Sequence, residues 1–396
     1  MSMNLSKVDT QKMSPTSLSR VGEHWLARWK SEPLLFWSIV ILLSLGIIMV
    51  FSASMTTSIY AYHDVLFFLK RHLLGVLLSL PFFLLGSLFP LQKLRQLSSR
   101  ILLLNLLLLL MVFVPVIGRE GGGSARWLSF GSLNFQPSEF AKFSVLLYLA
   151  SALSTHQERI KDFWWGVLPS FLMIGTICLL ILLEPDLGTA SFIIAITLIT
   201  LFIGGSRLLH LFVCAGALLP SGIFLILFSG KDYWMRRIEA FFNPWNDPQG
   251  KGFQIIQSLI ALGSGGIFGK GLGESRQKFF FLPDRHTDFI FAIIGEELGF
   301  VGAVLVLVLF LIILWKGWKI ATSSRDNFQA VLGMGITASI ALQAFINIGG
   351  VTGTIPVTGI TLPLVSYGNS SLIITMFQMG ILFNIAYENR LRNDRL

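Results

Sequence analysis

The chain has 396 residues, of which 54% are hydrophobic and 13% charged, with a mean hydropathy of +0.72. A water-soluble domain carries about 25% charge, so a soluble globule is excluded. The formal net charge of +9 does not call for nucleic acid, because in a membrane protein basic residues must first be sorted by side.

Apolar runs close to the ~20 residues that cross ~30 Å of hydrocarbon recur at 34–54, 69–89, 101–117, 138–154, 165–183, 188–204, 209–229, 289–315, 329–349 and 367–387. They predict an all-α polytopic membrane protein with ten transmembrane helices, over 34–387, between tails at 1–33 and 388–396. The first run follows a polar tail without a small-residue cleavage pattern and is too long for a signal-peptide core, so it is expected to stay as a helix. Cys178 and Cys214 each sit within an apolar run. They read as small buried hydrophobes, not as a disulfide framework or zinc site.

One set of short connections holds Lys7, Lys12, Arg20, Arg28, Lys30, Lys93, Arg95, Arg100, Arg159, Lys161, Arg207, Lys316, Lys319, Arg325, Arg390, Arg392 and Arg395. The opposite set holds only Arg119 and Arg126, with Lys70 and Arg71 at a helix entrance. The positive-inside rule then makes both termini cytoplasmic. Three polar segments fall outside the cell: 118–137, the turn Glu184-Pro185-Asp186, and a long loop at 230–288. The long loop is rich in aromatics such as Trp234, Phe241, Phe242 and Trp245, which suits a functional element better than a solvated linker. Its stretch 253–262 has helical apolar spacing and is expected to lie along the outer bilayer surface. The lack of a strong internal repeat weakens a two-halved transporter reading.

Asp288 stands where the polar loop turns into a long apolar run. A carboxylate partly out of water there has its pKa raised toward that of a general base; the alternative is a helix N-cap. Glu139 and Lys142, three apart at the start of the fourth span, share a helix face and can pair. They mark either an interior site or a packing salt bridge. Asp186 lies in the outer turn, and Glu296 and Glu297 lie about two turns into the eighth span. With Asp288 they are expected to border an outward-open cavity suited to a divalent cation or polar substrate, with helix packing favoured for Glu297. The run GSGGIFGKGLG at 263–273 fails as a phosphate loop, having Ser264 where Gly is needed and Gly271 where Ser or Thr is needed. Its surviving reading is an anion cradle around Lys270. The Gly-, Thr- and Pro-rich stretch before the last span, which includes Ser366, is tolerated at membrane depth only against protein or a water-filled cavity.

The ordered segments ARWLSFGSLNFQPSEFAK, EPDLGTA, NPWNDPQGKGFQIIQSLIALGSGGIFGKGLG, FLPDRHTDFIFAIIGEELGF and TGTIPVTGITLPLVSYGNSS strongly resemble the SEDS (shape, elongation, division and sporulation) proteins. The match runs from the first span to the last. The tail, FQIIQSLIAL and GLGESRQKFFFLP resemble the division branch more than the elongation branch. Two departures occur: Ser124 where Asn is expected, and Asn369 where Gly is expected.

The resemblance implies a polymerase of lipid II whose catalytic carboxylate is Asp288. It also implies a functional Glu139 and Lys142 pair, and roles for Arg126 and Asp186. His286 of HTDF, Lys270, Glu296 and Ser366 complete the expected supporting set. No organic cofactor is implied; a divalent cation such as Mg2+ or Mn2+ is admitted. The implied partners are lipid II, the nascent glycan strand, a class B penicillin-binding protein as transpeptidase, and other division proteins. The implied place is the bacterial inner membrane at the septum, with the site on the extracytoplasmic face. A lipid II flippase using Glu296 and Glu297 is the alternative from another class.

Overall fold

The computed structural model describes residues 31–114, 118–121, 124–130, 133–155, 158–216, 232–279 and 281–394. The predicted N-terminal tail and much of the predicted span at 209–229 lie outside the described residues. The helices are α1 (Pro33–Tyr62), α2 (Phe67–Leu88), α3 (Leu91–Val112), α4 (Pro137–Thr155), α5 (Leu168–Leu183), α6 (Leu187–Ile203), α7 (Asp232–Phe242), α8 (Phe253–Ser264), α9 (Ile290–Thr322), α10 (Asn327–Val351) and α11 (Asn369–Asn393). A π-helical turn, Phe163–Val167, leads into α5, and residues 208–216 are helical before the chain leaves the described region.

Seven of these segments are long and apolar enough to cross a bilayer, namely α1, α2, α3, the turn with α5, α9, α10 and α11. The protein is therefore a mostly helical, multi-pass membrane protein. The polar α4 and the shorter α6 pack against α10 inside the bundle. Local sequence sets the boundaries. Pro90 precedes α3, and Asp326 caps α10 by accepting from Phe328 N at 2.8 Å and Gln329 N at 3.2 Å.

The packing that matters for the site joins α2 to α11 and α9 to α10 and α1. Where α2 meets α11, a Cβ on Gly380 would meet Phe83 O at 2.2 Å, and one on Gly86 would meet Phe377 O at 2.3 Å. Small residues thus let the two backbones touch, as helix association in lipid requires.

Two features differ from expectation. Helix α3 begins at Leu91, a full ten residues before the predicted run at 101–117. Its first turns carry Lys93, Arg95 and Arg100, which break the hydropathy signal but continue the helix at the membrane edge, where long cations snorkel. The connection expected as loop at 118–137 contains a three-stranded antiparallel sheet, β1 (Gly118–Gly121), β2 (Ser124–Phe130) and β3 (Leu133–Phe135), in the order β1-β2-β3. Leu128 pairs with Gly118 on one side and Phe135 on the other.

Candidate active site

One end of the bundle gathers the N-termini of α4, α6, α9 and α11, the C-terminus of α10, the small sheet and the loop helices. Asp288 lies just before α9. It is not the helix cap: that position falls to Phe289, and no side chain caps the helix. The Asp288 carboxylate instead borders a small hollow shared with Asn347, Gly350, Thr358 and Gly359. Its backbone carbonyl accepts from Asn347 Nδ2 at 2.7 Å, and the same amide donates to Ile360 O at 2.7 Å. One side chain of α10 therefore ties the α9 entrance to the loop before α11.

Asp288 is half-buried, and burial pushes its pKa up to about 7, with Asp284, Asp186 and Glu139 adding to the rise and Arg237 opposing it. The guanidinium of Arg237, from α7, donates to Val357 O at 2.9 Å. A Cβ built on Gly359 (φ 80°) would lie 3.5 Å from Asp288 Oδ2 and 4.0 Å from Arg237 Nη2. Both groups thus flank a backbone position that only glycine leaves open.

The Glu139 and Lys142 pair forms as its spacing predicts, at 2.7 Å, with both side chains nearly inaccessible. Lys142 Nζ also donates to Gln343 Oε1 at 3.3 Å and sits 5.2 Å from the Phe192 ring centroid. Gln343 Nε2 continues the network to Thr361 O at 3.1 Å and Ser371 Oγ at 3.2 Å. The pair is an interior hub joining α4, α6, α10 and α11, and its charge is matched within the protein.

Arg126, on β2, donates through Nε to Glu184 O at 2.9 Å and through Nη2 to Pro185 O at 2.6 Å, pinning the sheet over the α5–α6 turn. Asp186 caps α6, accepting from Thr189 N at 3.0 Å and Thr189 Oγ1 at 2.8 Å. Beside it, Glu184 is buried with neither carboxylate oxygen partnered among the described residues. Burial and Asp186 push its pKa up to about 8, against Arg126, so it holds a proton at neutral pH.

His286 and Ser366 support the segment from behind. The His286 ring packs between Phe68, at 4.5 Å, and Tyr367, at 5.6 Å between centroids. Burial, with Arg285, lowers its pKa to about 4, leaving it neutral. Ser366 Oγ donates to Thr287 O at 2.6 Å and accepts from Leu362 N at 2.9 Å, clasping the residue before Asp288 to the α10–α11 loop. Arg285, which the sequence reading passed over, anchors the same segment to α1 through Ala53 O at 3.0 Å and Thr56 Oγ1 at 2.8 Å.

Glu296 does not share a cavity with Asp288. It is fully buried and turned toward the loop, where it accepts from Lys270 Nζ at 2.7 Å, Arg276 N at 3.1 Å, Gln277 N at 3.3 Å and the Ser275 hydroxyl. Lys270 is correspondingly part of this ion pair and not the centre of an anion cradle. Glu297 accepts from Ser52 Oγ at 2.6 Å and Gly273 N at 3.0 Å, with Lys278 Nζ 3.5 Å away. The glycine-rich run is the backbone partner of a break in α9: Gly299 takes φ 67°, and Phe300 N donates to Gly266 O at 2.9 Å. Among the described residues no group of three or more His, Cys, Asp or Glu side chains is placed to hold a metal ion.

Arg237, Arg285, Gln343 and Asn347 are the members that sequence reasoning missed. For the last two a signal existed: polar residues one helical turn apart within an apolar span mark an interior site. Arg237 was hidden among the loop's aromatics.

Residues 33–391 match the family described as cell cycle proteins, FtsW/RodA/SpoVE. The stage V sporulation protein E of Bacillus subtilis is 43% identical over 353 residues, 89% of this chain and 95% of that protein. The probable peptidoglycan glycosyltransferase FtsW of Geobacter metallireducens is 41% identical over 347 residues, 88% and 92% of the two chains. Among solved structures, a chain of a peptidoglycan synthase complex that coordinates polymerization and crosslinking superposes with TM-score 0.73 at 32% identity, covering 90% of this chain and 97% of that one. The rod shape determining protein RodA of Thermus thermophilus gives TM-score 0.65 at 28% identity, covering 91% and 97%. With a match over nearly the whole chain and a shared helical frame, this chain belongs to the FtsW/RodA/SpoVE family of cell cycle proteins.

Proposed function

We propose that this chain is a peptidoglycan glycosyltransferase that polymerises lipid II into glycan strands at the outer face of the bacterial inner membrane, in the division branch of its family. The observation that carries the reading is Asp288: a carboxylate uncommitted to capping, beside a cationic guanidinium, with its pKa near 7.

In the reaction the 4-hydroxyl of one lipid-linked disaccharide attacks the anomeric carbon at the end of a second strand. The carbon–oxygen bond to the polyprenyl pyrophosphate breaks and its electron pair leaves with the phosphate. Asp288 takes the hydroxyl proton, a role matched by a base poised near the working pH. Arg237 stands beside it to offset the charge that develops on the leaving group. The N-termini of α4, α6, α9 and α11, gathered at this end, favour an anion by their dipoles. Glu139 and Lys142 hold the floor of the site, while Arg126, Asp186, His286 and Ser366 fix the loops around it.

Among the described residues no group of three or more His, Cys, Asp or Glu side chains is placed to hold a metal ion, so a cation such as Mg2+ or Mn2+ would be held here largely through waters and substrate phosphates. The distribution of Lys and Arg supports a reading with ten spans and both termini cytoplasmic, in which Asp288 faces the outside. A class B penicillin-binding protein would crosslink the product, in keeping with the coordination of polymerization and crosslinking in the related complex. Glu296 and Glu297, which a transport reading needs at an open cavity, are occupied by donors from the loop and from Ser52 of α1.

The test is a glycan-chain assay on lipid II with purified protein, with and without the candidate transpeptidase and divalent cations, alongside liposomes scoring lipid II movement. Polymer formation that depends on Asp288 supports the reading. Movement of lipid II without polymer under every condition overturns it.

A further inference from the structure

At the opposite end of the bundle, far along α3 and α4 from Asp288, lies a cavity of ≈360 Å³ between the start of α3, the end of α4 and the turn leading into α5. Hydroxyls dominate its lining: Ser98, Ser99, Tyr148, Ser151, Thr155 and Ser170. Ser98 and Ser170 are only 3% and 6% exposed, and neither hydroxyl has a partner among the described residues. No lining residue carries a charge.

One cation is built into the edge. Arg95 Nη2 donates to Thr155 Oγ1 at 3.1 Å, and its backbone carbonyl accepts from Ser151 Oγ at 3.3 Å. That leaves most of the five guanidinium donors for something else. Lys93 and Arg100 are exposed on the same helix, and Lys161 on the facing connection. Trp165, on the rim, is 75% exposed beside an exposed Trp164. Their two backbone N–H groups are held by Asp162 Oδ1, at 2.8 Å for Trp164 and 3.2 Å for Trp165. Exposed tryptophans at a helix entrance are the mark of the headgroup level of a bilayer. A polar hole between transmembrane helices at that level, with a guanidinium at its edge, suits a lipid headgroup.

We propose that this cavity binds the headgroup of an anionic glycerophospholipid, a phosphoglycerol whose phosphate meets Arg95 and whose hydroxyls meet the serines. The lining selects the class. The lining is made of hydroxyls that both donate and accept and so can exchange hydrogen bonds with a polyol, while the one carboxylate at the rim, Asp162, is engaged by the Trp164 and Trp165 amides. The volume falls within the range of small-molecule sites.

The test is retention of phospholipid by the full-length protein, purified in detergent with phosphatidylglycerol and phosphatidylcholine supplied equally and scored by native mass spectrometry. The wild type is expected to keep phosphatidylglycerol about tenfold over phosphatidylcholine. Ser99→Trp fills the cavity from an exposed position and should lose that retention. Arg95→Gln should lose the preference while keeping residual, unselective lipid. Two controls separate the sources of phosphate: inorganic phosphate and glycerol phosphate at millimolar concentration should not displace the lipid. Equal retention of both lipids by the wild type, unchanged retention in both variants, or displacement by soluble phosphate would each overturn the proposal.

Discussion

Two acidic groups about two turns apart at the start of α9 have opposite fates. Glu296 is wrapped by Lys270, Ser275 and two backbone amides, and its neighbour Glu297 by Ser52, Gly273 and Lys278. Asp288 stands half-buried without such a cage, and burial lifts its pKa to about 7. Saturating a carboxylate with donors turns it into a fastener. Burying one among other acids with few donors leaves it able to take a proton. The two patches therefore divide the work: the first ties the glycine-rich loop into the broken helix, and the second is left for chemistry.

The division is broken most directly at its reactive end. Asp288→Asn should cut glycan polymerisation on lipid II by about 10²–10⁴-fold, the usual worth of a general base. Stability should be kept, and the sign follows from linkage. The folded protein holds a proton on Asp288 up to about pH 7, where the unfolded chain has lost it near 3.8. Wild-type stability therefore falls as pH rises through that window, and the variant should gain on the wild type in thermal unfolding at pH 8 relative to pH 4. A variant that unfolds early at every pH would make Asp288 a fastener like Glu296.

The reverse result is expected at the other patch. Lys278→Met leaves Glu297 as an uncompensated buried charge, a change that costs about 3–5 kcal/mol, read as a lower denaturation temperature. Activity per folded molecule should remain. The Glu139 and Lys142 pair tests the middle ground. Each single neutral substitution should destabilise more than the double Glu139→Gln with Lys142→Met, because only the singles strand a charge. A double variant whose losses in stability and activity are the sum of the two single losses would mean the two act as separate substrate contacts.

The sequence carried the frame and the charged pair well, for physical reasons. Apolar runs must match the bilayer, and Glu139 and Lys142 sit three apart on a helix, so geometry and spacing leave little choice. The start of α3 was lost because cations at a membrane edge erase hydropathy while leaving helix propensity intact. The sheet at 118–135 was lost because its strands are short and gain their order from Arg126 reaching across to Glu184 and Pro185, a contact between distant segments. The expectation that Glu296 borders a cavity with Asp288 fails because spacing along α9 says nothing of a loop that folds back to meet it. Arg237 reached the site the same way, carried by tertiary folding of a segment with no motif of its own.

Arg237 gives the finest test of the contrast, because it is the cation that opposes the rise in the Asp288 pKa. A general base works only when deprotonated, so the polymerisation rate should climb as pH rises toward about 7 and level off above it. Removing the guanidinium in Arg237→Gln takes away the charge that favours the carboxylate and should move the midpoint upward. At pH 6.5 the variant should then lose about threefold to tenfold more activity than it loses at pH 9. If Arg237 instead serves only by holding Val357 O, the loss should be the same at both pH values and the midpoint should stay where it is. A midpoint that moves with the charge, while Lys278→Met leaves it unmoved, would place the electrostatic control of the reaction in the Asp288 patch alone.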